Sequence, residues 1–117
     1  MKDFKKLNIW QNGMDLVDVI FDLYAELPYN KVAELKGQSI RAAISIPSNI
    51  AEGSSRRSEK EKYRFLEIAL GSAFELETQT ITLSRRPWAP QEKIQVILDM
   101  ISKEQGMIIN FMAKLNT

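Results

Sequence analysis

The segment from Leu35 to Thr78 constrains the fold most, because its apolar residues follow helical spacing on both sides of one short polar connection, Gly53-Ser54-Ser55-Arg56-Arg57. Before the connection the stripe is Leu35, Ala42, Ala43, Ile46 and Ile50; after it come Phe65, Ala69, Ser72, Ala73, Leu76 and Leu83. Residues three and four apart share one face of a helix, so each stripe is built to bury against a neighbour. Gly53 is expected to close the first helix in the left-handed conformation. Ser58 with Glu61 forms an S-x-x-E capping box for the next, which should run from about Ser58 to about Ser84, roughly 40 Å at 1.5 Å per residue.

Two further helical patterns flank this pair. Trp10, Met14, Val17, Ile20, Phe21, Tyr24 and Leu27 mark one face of the first, which Pro28 ends. Asn30 is the expected N-cap of the second helix, and Pro47 lies inside it. A mid-helix proline lacks its N–H and crowds the carbonyl four residues earlier, so a kink near Ala43 is expected, with a break into two helices as the alternative. Arg85-Arg86-Pro87-Trp88-Ala89-Pro90 interrupts the chain, and Pro90 suits a first helical position. The last stripe is Ile94, Ile97, Leu98, Ile101, Ile108, Phe111, Met112 and Leu115. Gly106 within it costs roughly 1 kcal/mol against alanine and marks a weak turn or a close helix contact. Four such segments predict an all-α fold, an antiparallel up-down-up-down four-helix bundle with a kinked second helix, as a single domain over residues 1–117.

The chain has no histidine and no cysteine, which removes catalytic triads, thiol nucleophiles, disulfides and most zinc sites from consideration. Bundles that hold paired metals use inward glutamates and Glu-x-x-His pairs; Glu52, Glu67, Glu75 and Glu77 have no histidine to complete them, and Glu75 and Glu77 fall on different helix faces. Ser45 and Ser48 have no base to activate them, and no phosphate-cradling glycine motif occurs. No catalytic residue, metal or cofactor is therefore expected. No run approaches the ~20 apolar residues needed to cross a bilayer. Asn8, Gln11, Asn12 and Asp15 interrupt what would be the apolar core of a signal peptide, so a cytoplasmic protein without membrane contact is expected.

Function must then rest on surfaces. A second apolar row on the third helix, Tyr63, Leu70, Phe74 and Ile81, is joined by Val96, Met100 and Met107 on the fourth. It reads either as a subunit interface of a homo-oligomer or as part of a wide core face. Arg56, Arg57, Lys60, Lys62 and Arg64 form a basic cluster tempered by Glu59 and Glu61, with Lys2, Lys5, Lys6, Arg41, Arg85 and Arg86 as further cations. It reads either as a phosphate-binding face or as an ordinary solvated one. The net charge is only +1, so local clustering must carry the first reading. In the second helix either Asn49 is expected to satisfy a carbonyl freed by Pro47 or Glu52 to accept from an arginine on a neighbouring helix, and either would fix helix register.

Leu27-Pro28, the residues Leu35, Gln38, Ile40, Arg41 and Ala43, the run Ser45-Ile46-x-x-Asn49-Ile50-Ala51-Glu52-Gly53, and Phe65, Leu66, Ile68, Ala69, Gly71, Ser72, Glu75, Leu76 and Glu77 together carry a resemblance. With Trp10, they resemble the four-helix-bundle family that includes proteins encoded within intervening sequences of bacterial 23S ribosomal RNA genes. Similar proteins include the accessory variability determinant of diversity-generating retroelements, a basic homopentameric bundle that binds nucleic acid and associates with a reverse transcriptase. The resemblance implies a barrel-like homopentamer. The near-neutral charge departs from that basic relative, and Arg85 to Pro90 departs from the glycine-aromatic connection usual in the family.

The expectation is a non-enzymatic oligomer that binds structured RNA or other nucleic acid through phosphate contacts at Arg41, Arg56, Arg57, Lys60, Lys62 and Arg64, without base readout. The alternative is a protein-interaction scaffold, assembled through Tyr63, Leu70, Phe74 and Ile81, that recruits a nucleic-acid-processing enzyme and binds no nucleic acid itself.

Overall fold

Residues 3–116 are described by a computed structural model. A 3-10 turn, Phe4–Lys6, precedes four helices: α1 (Asn8–Ala25), α2 (Tyr29–Ser54), α3 (Glu59–Ser84) and α4 (Gln91–Ala113). Each helix packs on its sequence neighbour, most extensively α2 on α3, and α4 closes the bundle against α1. Cross-helix contacts set the directions. Tyr24 meets Ser39 while Gly13 lies against Ile46 and Pro47, and Ser45 meets Ser72 while Gly53 abuts Phe65. Likewise Ser84 pairs with Gln91 and Ala73 with Gln105, and Glu26 pairs with Lys93 and Asn12 with Glu104. Along every packed pair the number rises on one helix as it falls on the other, so neighbours are antiparallel. The 46 × 20 × 20 Å body is that of four helices side by side.

Fully buried side chains come from all four helices, among them Leu16 and Ile20, Ile46 and Ile50, Leu66, Leu76 and Leu83, and Ile94, Ile101 and Ile108, with Leu66 rather than the expected Phe65 buried at the start of α3. Burying each contributes about 1.5–3 kcal/mol relative to leaving it in water. The stripe of α1 is rotated from the expected one. Met14 and Phe21 point outward, while Gly13, Leu16 and Leu23 take the inner positions.

Local chemistry explains most helix ends and corrects several expectations. Ser58 caps α3, its Oγ accepting the Glu61 N–H at 3.1 Å, as the capping motif requires. Asn30 is not the cap of α2. The helix already starts at Tyr29, and Pro28, at φ −64° and with no N–H to leave unpaired, stands at the flanking position. Pro90 likewise flanks α4 rather than opening it. Helix α2 runs unbroken through Pro47, so the two-helix alternative falls away. Asn49 does not serve the carbonyl opposite Pro47; its Nδ2 donates to the Ser45 carbonyl at 2.8 Å and to Ser45 Oγ at 2.9 Å.

Gly53 does not take a left-handed conformation, because no described residue has positive φ. Its requirement is steric: a Cβ there would stand 2.8 Å from Phe65 Cβ. Gly106 marks neither a turn nor a close contact. It is exposed within α4, and among the described residues no atom beyond its chain neighbours and the adjacent helix backbone lies within 4 Å of where its Cβ would be.

Candidate nucleic-acid interface

The antiparallel register brings separate basic segments to one end of the bundle. The α2–α3 connection carries Arg56 and Arg57, and the first turns of α3 carry Lys60 and Arg64. The turn holding Lys5 and Lys6 packs on both α1 and α2, at the α1 terminus that lies beside the end of α2. Lys6 and Lys114 line one cleft of about 360 Å³ between that turn and the end of α4. Arg57, Lys60 and Arg64 are exposed, and none is in an ion pair among the described residues. Lys60 and Arg64, four apart, share a helix face. Lys2 lies outside the described residues.

The six expected phosphate contacts are not equivalent. Lys62 is only 8% exposed, and its ammonium donates to the Arg56 carbonyl, where it ties the connection to α3. Arg56 lies 4.6 Å from the centre of the Phe65 ring and pairs with Glu52 at 3.5 Å, so Glu52 serves the following connection and not an arginine of another helix. Arg41 is exposed but stands apart, in a cleft of about 280 Å³ with Gln38, Ala42, Ser45 and Glu75.

Between the apolar layers run polar contacts that register the helices. Tyr24 and Ser39 share a buried hydroxyl pair at 3.0 Å, and burial pushes the Tyr24 hydroxyl pKa up against the opposing effect of that bond. Ser45 and Ser72 bond at 2.8 Å across α2 and α3. Gln105 Nε2 donates to Glu77 Oε1 at 3.0 Å, whereas Glu75 lies toward α2, which separates these two carboxylates as their spacing indicates. No group of three acidic side chains able to hold a metal ion occurs among the described residues.

Glu104 is the residue that sequence reasoning passed over. It is 0% exposed; its Oε1 accepts from Asn12 Nδ2 at 3.0 Å, and its Oε2 has no hydrogen-bond partner among the described residues. Burial raises its pKa from 4.5 to about 7, against the Asn12 hydrogen bond and the nearby Lys103 charge. The signal was present in the stripe itself, since Glu104 falls three residues after Ile101 and four before Ile108.

The second apolar row is uneven. Tyr63 and Leu70 are partly buried against the core, while Phe74 is 49% and Ile81 39% exposed. Val96 on α4 is exposed, whereas Met100 and Met107 pack on the core.

Fold and surface together define a class: a four-helix bundle with its distinctive chemistry on one basic end and one outward helix row. The chain belongs to the 23S rRNA-intervening sequence protein family, whose family model matches residues 5–110. It is similar in fold to a protein of unknown function from the S23 ribosomal protein family of Bacteroides thetaiotaomicron, with TM-score 0.81 and 24% identity over 89% of this chain and 97% of that one. No curated protein matches the sequence. None of the described helices is long and apolar enough to cross a membrane.

Proposed function

We propose that this protein is a non-enzymatic, cytoplasmic RNA-binding oligomer that grips phosphates through the basic end of the bundle without reading bases. The observation that carries this reading is the set Arg57, Lys60 and Arg64: three exposed cations without ion pairs among the described residues, at the same end as Lys5, Lys6 and Lys114. Mobile cations on a solvated surface suit phosphate contact, and arginine engages two oxygens at once. Arg56 joins the set with its guanidinium braced on Phe65. Lys62 leaves it, because its ammonium is committed to the backbone.

The exposed pair Phe74 and Ile81 supports assembly through α3, and the resemblance to pentameric relatives favours a homopentamer. The same row supports the second reading, a scaffold that recruits a nucleic-acid-processing enzyme and has no RNA affinity of its own. Fluorescence anisotropy of a structured RNA, titrated from low to physiological salt, separates the two. Saturable binding that weakens with salt and is lost in an Arg56→Ala, Arg57→Ala, Arg64→Ala variant is the expected result. No binding even at low salt would reject RNA binding in favour of the scaffold.

A further inference from the structure

The opposite end of the bundle, where the α1–α2 and α3–α4 connections meet, carries different chemistry. Lys31 Nζ lies 5.4 Å from the centre of the Trp88 ring. This pair stands between two clefts. One, of about 330 Å³, is lined by Lys31, Gln38, Thr82, Arg86 and Trp88 over an aliphatic floor that includes Leu35. The other, of about 430 Å³, is lined by Leu27, Pro28, Lys31, Trp88, Pro90 and Lys93. Beside them Tyr29 is 68% exposed, with Lys36 Nζ 5.7 Å from its ring centre.

These side chains differ in what they leave available. Lys93 is paired with Glu26, and Glu34, which also lines the first cleft, accepts from Gln38 at 3.4 Å. Lys31 and Arg86 are exposed and have no ion pair among the described residues. Trp88 is 36% exposed beside the first cleft, whose floor is the partly buried Leu35 with the buried Val32 and Leu83 beneath it. A cleft that combines a partly exposed indole with Lys31 beside its ring, a second cation in Arg86, an aliphatic floor and the polar groups of Gln38 and Thr82 matches a ligand with one flat aromatic part and one anionic part. A nucleotide has both: its base stacks on an aromatic ring, and its phosphate takes the cations. A plain acidic peptide would leave the indole unused, and an apolar ligand would bury the cations unpaired.

We infer that the cleft between Lys31, Arg86 and Trp88 binds one nucleotide unit of single-stranded RNA, the base against Trp88 and the phosphate on Arg86 and Lys31. This goes beyond phosphate contact at the α2–α3 junction: it lies at the other end of the molecule and depends on stacking, which duplex RNA cannot offer from within its helix.

Trp88 reports on the site directly. In a Trp10→Phe background it is the single tryptophan of the chain. Titration with short single-stranded oligoadenylate should quench its emission saturably. The quench should persist in Arg57→Ala, Lys60→Ala, Arg64→Ala protein, so that failure of the basic-end reading is distinguishable from failure of this one. It should weaken by about tenfold in affinity in Lys31→Ala, Arg86→Ala protein, and anisotropy of labelled oligoadenylate should show a similar loss for Trp88→Leu. Absence of saturable quenching from folded protein would overturn the assignment, as would a quench abolished by the substitutions at the basic end. Quenching by AMP but not by oligoadenylate would overturn the strand in favour of a free nucleotide.

Discussion

Gly53 and Gly106 are both helical glycines, and their surroundings give them opposite roles. At Gly53 the atom met by an added Cβ is Phe65 Cβ, fixed to the backbone of α3 and unable to swing aside, so Gly53→Ala must push α2 and α3 apart. Overpacking of this kind outweighs the helix propensity gained, and urea unfolding should show a net loss of about 1–2 kcal/mol. At Gly106 no described atom beyond its own stretch of helix is near, and Ala should instead stabilise by about 0.5–1 kcal/mol. Equal stability of the two variants would remove the steric account. Glu104 makes the third residue-scale case. Its pKa is about 7 in the fold against 4.5 as an ordinary carboxylate, so the folded state holds a proton that the unfolded chain releases. Its contribution is therefore complete below about pH 4.5 and is lost as pH rises through 7, on the order of 3 kcal/mol in all. Thermal melts should fall across that window, and Glu104→Gln should flatten the fall, since the amide oxygen can still accept from Asn12. An unchanged slope in the variant would show that another group carries the pH dependence.

Helices were legible as elements because apolar spacing over twenty residues leaves little else for the chain to form, and the S-x-x-E signal located the start of α3 correctly. Their ends and rotations were less legible. Around Pro28-Tyr29-Asn30 two capping preferences compete, and the proline prevails; on α1 the choice between Met14 with Phe21 and Leu16 with Leu23 depends on where the neighbouring helices lie. Gly53 shows the same limit, since a close approach between helices leaves no mark distinct from a turn. Helix α3 presents its core stripe to α2 and α4 and leaves Phe74 and Ile81 outward, one pair of turns apart. If that row is where copies of the chain meet, Phe74→Glu should reduce the mass seen by sedimentation equilibrium to that of one chain, with helical content by circular dichroism unchanged because the side chain is not part of the core. An assembly of unaltered mass would place the interface on another face.

At the scale of the molecule, a net charge of +1 conceals an uneven distribution that only the fold discloses. Lys5, Lys6, Arg57, Lys60, Arg64 and Lys114 are scattered along the sequence, and the antiparallel register gathers them at one end. At the other end Lys93 is offset by Glu26, and Trp88 and Tyr29 accompany the cations that are left. Composition alone therefore undervalued the basic end, while its clustered core, Arg56 to Arg64, could be read directly and the burial of Lys62 within it could not. Duplex RNA, whose bases are already stacked, isolates the basic end. For a duplex, the slope of log K against log salt should shrink in magnitude by about 2 to 3 in Arg57→Ala, Lys60→Ala, Arg64→Ala protein, close to 0.9 for each phosphate no longer neutralised. Trp88→Leu should leave that slope unchanged, because it removes no charge and the duplex offers its indole no free base. A slope that survives the triple substitution would mean that the phosphates bind elsewhere on the bundle, and the α2–α3 junction would then be an ordinary solvated surface.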